Sequence, residues 1–337
     1  MVLDFKQDAG RRVLERLIGT ADVLVQNLRP GALAAAGFAA ERLLQLNPRL
    51  IYCDLTGFGP RGPEAGKPAY DPLVQAYSGV VSMTGEDGRA PARVPVSLLD
   101  IGTGMWTTIA VYEALRRREQ TGKGCHIELS LLQTALAWLG PTVMSVLAGN
   151  PAPRRLGSGL AGVVPYGAFP SADGWVFISA GNDQAWGRLC EALQATGLAA
   201  QADFATNVSR VAKRQETTEA LSAVTRRFAS QDLLERLSRA GVPCSPVNTV
   251  GDIVKDAQAL ATGMLCPLPR ADIPGLTVVH TPMTFDGAYA PMRKPPPPLG
   301  ADSASALEDL GFGRDEIDAL LRAGVIAGAT AGEQTAT

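Results

Sequence analysis

The first 150 residues of the chain alternate between short apolar runs and longer amphipathic stretches. The runs at residues 21–25, 50–53 and 125–129 have the length and aliphatic content of buried strands. The stretches at 8–18 and 107–119 carry apolar residues at helical spacing. Strands that alternate with helices in this way form βαβ units, which place the strands parallel in one sheet. The pattern therefore predicts an α/β fold built on a parallel sheet.

The composition is that of a globular protein, with 46% hydrophobic and 19% charged residues. A chain of 337 residues exceeds one ordinary core, so we expect two domains. The formal net charge of -2 provides no basic surface for a nucleic-acid partner. No apolar run is long enough to span a bilayer and no signal-peptide pattern is present, so we expect no membrane association and a cytoplasmic location.

Changes in composition predict the domain boundaries. Residues 1–150 form the large domain, and residues 151–255, which begin with a Pro-Ala-Pro linker, form a smaller α+β domain. Residues 256–298 are rich in proline and are expected to form an extended return linker. A last helix within residues 299–325 is expected to pack back on the large domain, and residues 326–337 are expected to form a disordered tail.

Cysteine and histidine offer little for metal or nucleophilic chemistry. The five cysteines are far apart and form no CxxC pair, which argues against a disulfide framework and against a zinc site. Cys125 is followed by His126, but neighbours in a strand point to opposite faces, so they are poor candidates for a thiol–imidazole pair. We expect no metal site, and any catalysis is expected to rest on carboxylate and backbone groups.

Asp100 lies where an extended segment is predicted to enter a helix. Apolar residues precede it, and the Gly-Thr-Gly sequence at 102–104 predicts a turn before the helix at 107–119. Unpaired N–H groups and the helix dipole at such a point favour the ionised carboxylate. Two interpretations remain open: Asp100 is a helix N-cap, which the local pattern favours, or it is a nucleophile.

Three segments are expected to meet at the carboxyl edge of the predicted sheet. Residues 27–31 end one strand and begin a helix, the Gly/Pro-rich loop at 57–71 follows the next strand, and Asp100 begins the following helix. Open α/β sheets bind ligands at this edge, and helix N-termini with Arg29 suit a phosphate-bearing ligand. The chain contains no GxGxxG or GxxxxGKT motif, so the sequence predicts neither a nicotinamide site nor a P-loop.

These segments resemble the class III coenzyme A transferases of the formyl-CoA transferase and carnitine CoA-transferase type, a family that also includes 2-methylacyl-CoA racemases. The resemblance covers nearly the whole chain and rests on ADVLVQNLRPGAL, NPRLIYCDLTGFGPRGP, AYDPLVQAYSG, the Asp100 segment with TGKG, and LEDLGFGRDEIDALLRAGVI. It implies a Rossmann-like large domain built from both chain ends, a small domain between them, and an interlocked homodimer. It also implies a further N-terminal segment, containing the first βα unit of the large domain, that is absent from this sequence.

The resemblance also implies roles for individual residues. Asp100 matches the catalytic aspartate, which forms an anhydride with the acyl group of an acyl-CoA and then carries CoA as a thioester until a carboxylic acid takes it. Coenzyme A is thus a substrate, and no permanently bound cofactor is implied. The residues implied to bind coenzyme A or the reacting groups are Arg29, Gly57, Phe58 and Tyr70. Gly157 and Gly159 match a glycine loop that covers the site during turnover.

Two departures from the family keep other functions open. The absent N-terminal segment makes a non-catalytic, truncated paralogue the main alternative to a CoA-transferase. A racemase pairs the aspartate with a histidine that would fall at Tyr70, so the tyrosine removes half of a two-base proton relay and disfavours racemase activity. The second departure is Gly300-Ala301-Asp302, where relatives often have a Gly-x-His-Thr pattern.

Overall fold

The computed structural model describes residues 1–270 and 272–328 of the chain. Its strands are β1 (Val2–Leu3), β2 (Val23–Gln26), β3 (Ile51–Thr56), β4 (Cys125–Ser130), β5 (Tyr166–Pro170), β6 (Trp175–Ser179), β7 (Cys244–Pro246), β8 (Leu265–Pro267), β9 (Thr277–Val279), β10 (Thr284–Phe285), β11 (Ala288–Tyr289) and β12 (Ile326–Ala327). Its helices are α1 (Asp8–Thr20), α2 (Ala32–Ala35), α3 (Ala40–Leu46), α4 (Asp71–Ser78), α5 (Val80–Met83), α6 (Leu98–Thr121), α7 (Leu131–Trp138), α8 (Gly140–Leu147), α9 (Asp183–Ala192), α10 (Thr196–Ala199), α11 (Ala202–Ala205), α12 (Asn207–Ala212), α13 (Arg214–Thr225), α14 (Ser230–Arg239), α15 (Val250–Ile253), α16 (Ala257–Ala261), α17 (Ser303–Asp309) and α18 (Arg314–Arg322).

The chain divides into two compact units. Unit 1 contains Met1–Val80, Arg93–Asn150 and the chain from Arg293 onward, and unit 2 contains Val81–Ala92 and Pro151–Met292. Within the described residues, no helix has both the length and the apolar character needed to cross a membrane.

Unit 1 is built on a parallel sheet in the order β2-β3-β4. Val23 pairs with Ile51, and Ile51 pairs in turn with Cys125, so all three strands run in the same direction. α2 and α3 connect β2 to β3, and α4, α5 and α6 connect β3 to β4. The predicted mixed α/β fold with a parallel sheet is confirmed.

Helices pack on both faces of this sheet. Successive strand residues point to opposite faces, so Tyr52 packs against Ile18 and Leu43 on one side. Ile51 and Cys53 pack on the other side, against Ala114 of α6. Each fully buried aliphatic side chain of this kind stabilises the fold by roughly 1.5–3 kcal/mol. The sheet and α6 thus form a fixed frame at whose carboxyl edge the loops must lie.

α6 begins at Leu98, which corrects the predicted extended segment and the predicted turn at 102–104. Gly102 is a helical residue, and a Cβ built on it would lie 2.2 Å from Cη2 of Trp138. The glycine therefore serves the close approach of α6 to the Trp138 ring, and no turn is needed to explain it. Asp100 consequently lies inside the first turn of α6.

Two predictions for the C-terminal part of the chain also need correction. Ile326 and Ala327, placed in the predicted disordered tail, form β12 and pair antiparallel with β1, because the Ile326 side chain is buried against Val13 and Leu307. The rest of that prediction, residues 329–337, lies outside the described residues. The predicted extended linker at 256–298 contains α16 and two antiparallel strand pairs, β8-β9 and β10-β11.

Unit 2 contains an antiparallel sheet in the order β5-β6-β7 with helices packed against it. Its core joins Val176 and Ile178 of β6 to Trp186 of α9, Leu221 of α13 and Leu233 of α14. Buried residues alternate with exposed or partly buried ones along β6, as expected for a strand with one face packed on the core.

Candidate functional site

A cavity of about 550 Å³ opens at the carboxyl edge of the parallel sheet in unit 1. Residues 27–30 after β2, 55–57 at the end of β3 and 67–70 before α4 form its walls, together with Asp100, Thr103, Gly104 and Leu131. The structure therefore brings together four of the residues singled out in the sequence: Arg29, Gly57, Tyr70 and Asp100. The three segments expected at this edge do meet there.

Asp100 does not cap its own helix. Ser97 occupies the N-cap position of α6, and its side chain makes no capping hydrogen bond. The Asp100 carboxylate accepts no hydrogen bond and forms no ion pair within residues 1–270 and 272–328, so it faces the cavity without a partner. The helix-cap interpretation is therefore wrong for this side chain, and the nucleophile interpretation remains.

The acid that caps α6 is Asp71, the first residue of α4. Its Oδ2 accepts hydrogen bonds from the backbone N–H of Leu99 at 2.6 Å and of Asp100 at 3.1 Å. The side chain is buried, at 2% exposure. Two orphan donors of the helix N-terminus are thus satisfied from a different helix, which leaves the Asp100 side chain free.

The environment raises the pKa of Asp100 above 3.8, first because burial disfavours the charged carboxylate and second because the charge of Asp71 lies close to it. This corrects the expectation that the setting favours the ionised form. The backbone N–H groups of Leu99 and Asp100 donate to Asp71 and not to the Asp100 carboxylate. A carboxylate with a raised pKa is more basic, and therefore more nucleophilic once it is ionised.

Two cationic side chains share the cavity with Asp100. Arg29 is exposed, and its guanidinium donates no hydrogen bond to the described part of the chain. Lys67 pairs with Glu64 at 2.7 Å. The guanidinium thus remains available for a phosphate or carboxylate, which it can bind in a bidentate manner. Lys67 went unpredicted, although it lies in the predicted loop at 57–71.

Of the other residues predicted to contact the substrate, Gly57 and Tyr70 line the cavity and Phe58 does not. A Cβ on Gly57 would lie 2.1 Å from the Cβ of Ala69, so only glycine allows the two walls of the cavity to approach. Tyr70 is 74% exposed beside the cavity. Phe58 is not among the cavity-lining residues, because its ring packs in the core against Val74 and Leu99. A contact between Phe58 and coenzyme A stays a prediction.

Thr103 and Gly104 line the cavity without having been predicted from the sequence. They follow Asp100 by three and four residues in α6, so all three share one helix face. The Thr103 hydroxyl is buried and lies 2.8 Å from the hydroxyl of Thr134 in α7. A predicted helix that began before Asp100 would have placed Thr103 and Gly104 on the same face as Asp100 by their spacing.

Gly157 and Gly159 belong to unit 2. The Gly157 N–H donates to the carbonyl of Gly85 at 2.8 Å, and the Gly157 backbone has a φ of +59°. The Gly159 N–H donates to the carbonyl of Leu156 at 2.8 Å. A covering role for these glycines stays a prediction.

Neither histidine lines the cavity. The His126 ring stacks on Tyr52 at 4.8 Å between ring centroids, and the His280 ring stacks on Tyr289 at 4.7 Å. In the part of the chain that the structure describes, no group of three or more His, Cys, Asp or Glu side chains could hold a metal ion. The chemistry available at the cavity is therefore that of a carboxylate beside cations, a phenol and a glycine-lined wall.

The chain is similar to known proteins over most of its length. A family model described as CoA-transferase family III matches residues 1–303. A succinate–glutarate CoA-transferase of Agrobacterium fabrum is 35% identical over 92% of this chain and 78% of its own length. An acetyl-CoA:oxalate CoA-transferase of Acetobacter aceti is 34% identical over 91% of this chain and 78% of its own length.

A solved structure has the same fold. The crystal structure of a CAIB/BAIF family protein from Brucella suis superposes with a TM-score of 0.83 at 36% sequence identity, covering 91% of this chain and 80% of that one. The parallel sheet and the elements that position the cavity therefore belong to a known architecture.

Proposed function

Because the chain belongs to CoA-transferase family III, we propose that it moves CoA from an acyl-CoA thioester to a carboxylic acid with Asp100 as the nucleophile. One observation carries the proposal: a carboxylate without a partner among the described residues lines a cavity that also holds an unengaged guanidinium. A thioester carbonyl is electrophilic, and a carboxylate is a competent nucleophile towards it. The proposed substrates are therefore an acyl-CoA and a carboxylate.

In the first half of the reaction, an oxygen of ionised Asp100 attacks the carbonyl carbon of the acyl-CoA. The carbon–sulfur bond breaks, CoA leaves as a thiolate, and Asp100 becomes part of a mixed anhydride. The thiolate then attacks the Asp100 carbonyl carbon and the donor acid leaves as a carboxylate. Asp100 now carries CoA as a thioester, and no net proton has been gained or lost.

The second half repeats these steps in reverse order with the acceptor acid. The acceptor carboxylate attacks the Asp100 thioester carbonyl, and the CoA thiolate leaves again. The thiolate then attacks the acceptor carbonyl of the new anhydride, which yields the acceptor CoA thioester and returns Asp100 as a carboxylate. One nucleophile is therefore sufficient for the whole exchange.

The other cavity residues receive binding roles in this proposal. Arg29 binds a phosphate group of coenzyme A, because a guanidinium matches phosphate geometry. Gly57 and Tyr70 shape the wall beside the reacting carbonyl. The N–H groups of Leu99 and Asp100 are bound to Asp71, so the donors that stabilise the tetrahedral oxyanion come from elsewhere around the cavity.

The tyrosine at position 70 supports a transferase over a racemase. A two-base racemase needs a second acid or base near Asp100, and the two histidines of the chain lie away from the cavity. Exchange of the α-proton of a 2-methylacyl-CoA into deuterated water would instead support racemase activity.

The experiment that tests the proposal is a transfer assay with succinyl-, acetyl- and formyl-CoA against a panel of carboxylic acids. We expect one pair to give a new acyl-CoA, and we expect Asp100→Ala to abolish it. Asp315→Ala is the matched control, because Asp315 is also an acid in the first turn of a helix and does not line the cavity. No transfer with any pair by folded protein would favour a non-catalytic paralogue.

We also propose that the protein is a homodimer. Ile101, Met105, Ile109 and Tyr112 form an exposed apolar stripe along one face of α6, which supports burial of that face in an assembly. Sedimentation equilibrium tests this, with Ile109→Arg as the variant. A monomeric parent protein at micromolar concentration would contradict the proposal.

A further inference from the structure

The first turn of α6 is held by a side-chain clamp from α4. Asp71 accepts the N–H groups of Leu99 and Asp100 through one carboxylate oxygen, and its other oxygen accepts from Nε2 of Gln75 at 2.5 Å. Both Asp71 and Gln75 are buried, at 2% and 0% exposure. The clamp therefore consists of charge-assisted hydrogen bonds away from water, where they are strongest.

Gln75 extends the clamp to the segment that leads into α6. Its Oε1 accepts from the backbone N–H of Val94 at 2.9 Å, and its Nε2 donates to the Val94 carbonyl at 3.3 Å. The two side chains thus fix the backbone both before α6 and at its first turn. A displacement of Asp71 would move the backbone that carries Asp100.

We propose that Asp71 is a positioning residue for transfer at Asp100: it holds the backbone of Leu99 and Asp100 so that the Asp100 carboxylate faces the cavity without a partner of its own. This inference rests on the proposed function. Asp71 touches the reacting residue only through the backbone N–H of Asp100, so it acts through that residue and not on the substrate.

The charge of Asp71 gives this role a measurable signature. Of the titratable groups around Asp100, Asp71 lies on α4, while Arg29, Lys67 and Tyr70 line the cavity. Burial is the larger cause of the raised pKa of Asp100, and the charge of Asp71 is the second. Asp71→Asn removes that charge and keeps an oxygen acceptor, so the acidic limb of the pH profile should move to lower pH.

The test compares the parent protein with Asp71→Asn by the pH dependence of kcat/KM for acyl-CoA. We expect kcat to fall on the order of ten- to a hundredfold, because small misplacements of a reacting group cost about that much. KM for the acyl-CoA should change less than twofold, since Arg29 is untouched. The acidic limb should shift to lower pH, which a purely structural role would not produce.

Asp173→Asn is the matched control for the loss of a helix-capping acid. Asp173 accepts from the backbone N–H of Ser230 at 2.7 Å at the start of α14 in unit 2, so it too binds a helix N-terminus from a distant part of the chain. We expect its pH profile to match that of the parent protein. The inference would be overturned if folded Asp71→Asn had the kcat of the parent protein and an unshifted acidic limb in its pH profile.

Asp71→Glu keeps the test decisive if Asp71→Asn does not fold. Glutamate retains the charge but moves it by one methylene, so kcat should fall while the acidic limb stays in place. Parent kcat in Asp71→Glu would overturn the inference. Activity in Asp100→Ala would instead overturn the proposed function, so the two failures are distinguishable.

Discussion

The charged side chains at the two ends of α6 differ in their hydrogen bonding. At the end near the starts of β2 and β3, Arg118 is 8% exposed and donates to Oδ1 of Asp22 at 2.8 Å and to the carbonyl of Arg49 at 3.0 Å. At the other end, Asp100 has no partner in the described part of the chain, and neither does the nearby guanidinium of Arg29.

One end of α6 thus contributes to the stability of the fold, and the other presents a side chain to the cavity. Arg118 also lies at the negative end of the helix dipole, so the dipole and the hydrogen bonds both offset the cost of burying its charge. Asp100 lies at the positive end, yet its pKa is raised, first because burial disfavours the charged carboxylate and second because the charge of Asp71 lies close to it. A charged group that the fold leaves unsatisfied in a cavity is available for a substrate.

The largest expected effect is that of Asp100→Asn. We expect kcat to fall on the order of 10⁴-fold, because the amide cannot form the anhydride. The fold should be retained, because the Asp100 side chain holds no other residue. Transfer rates measure the loss of kcat, and thermal melting of the same preparation checks that the fold is retained. A kcat within tenfold of the parent value would remove Asp100 from the mechanism.

Replacing Arg29 should have the next largest effect. We expect Arg29→Ala to raise KM for the acyl-CoA on the order of ten- to a hundredfold with little change in kcat, because a charge-assisted hydrogen bond contributes roughly 1.5–3 kcal/mol. Steady-state kinetics at two salt concentrations measure it. Arg61→Ala is the control, since Arg61 is exposed in the loop that follows β3 and does not line the cavity. An equal rise in KM in both variants would show that only the overall charge matters, and it would contradict a specific role for Arg29.

At the opposite end of α6, Arg118→Leu should reduce stability and spare the kinetics. We expect the free energy of unfolding to fall by about 2 kcal/mol, because the variant removes the hydrogen bonds of the buried guanidinium and leaves the Arg49 carbonyl without that donor. Urea unfolding measures it. Arg116→Leu is the control, because Arg116 is exposed and pairs with Glu113 one turn away, a contact of roughly 0.5 kcal/mol at most.

The smallest effect concerns the pH dependence of stability. The folded-state pKa of Asp100 is raised from 3.8, so between the two values the unfolded chain binds fewer protons than the folded chain. The free energy of unfolding therefore falls as pH rises through that interval. Asp100→Asn should remove this loss and melt slightly above the parent protein at neutral pH. A variant that melts lower at neutral pH and equally at low pH would contradict the sign.

The strands of the parallel sheet could be predicted because they are short, apolar and separated by helical patterns. The start of α6 could not be predicted. Gly102 and Gly104 are typical of a turn as long as the residues that pack against the helix are unknown. The Trp138 ring of α7, against which Gly102 packs, explains the glycine, and that contact lies 36 residues along the chain. Tertiary packing here outweighs local preference.

The cavity was predictable in part for the same reason. Parallel strands bring the segments after β2 and β3 to one edge, so Arg29, Gly57 and Asp100 could be grouped from the sequence. Asp71 could not, because a helix cap supplied from 28 residues away leaves no local pattern. The packing of Phe58 against Val74 and Leu99 could not be predicted either, since an aromatic residue in a binding loop and one packed against the core look alike in sequence.

The most direct test of the account is chemical trapping of Asp100 during turnover. The protein is incubated with its acyl-CoA donor, treated with hydroxylamine, digested and analysed by mass spectrometry, with Asp100→Asn and Asp71→Asn beside it. We expect a hydroxamate on Asp100 of the parent protein, less of it in Asp71→Asn, and none at position 100 in Asp100→Asn. Active protein that transfers CoA while Asp100 stays unmodified would contradict the account.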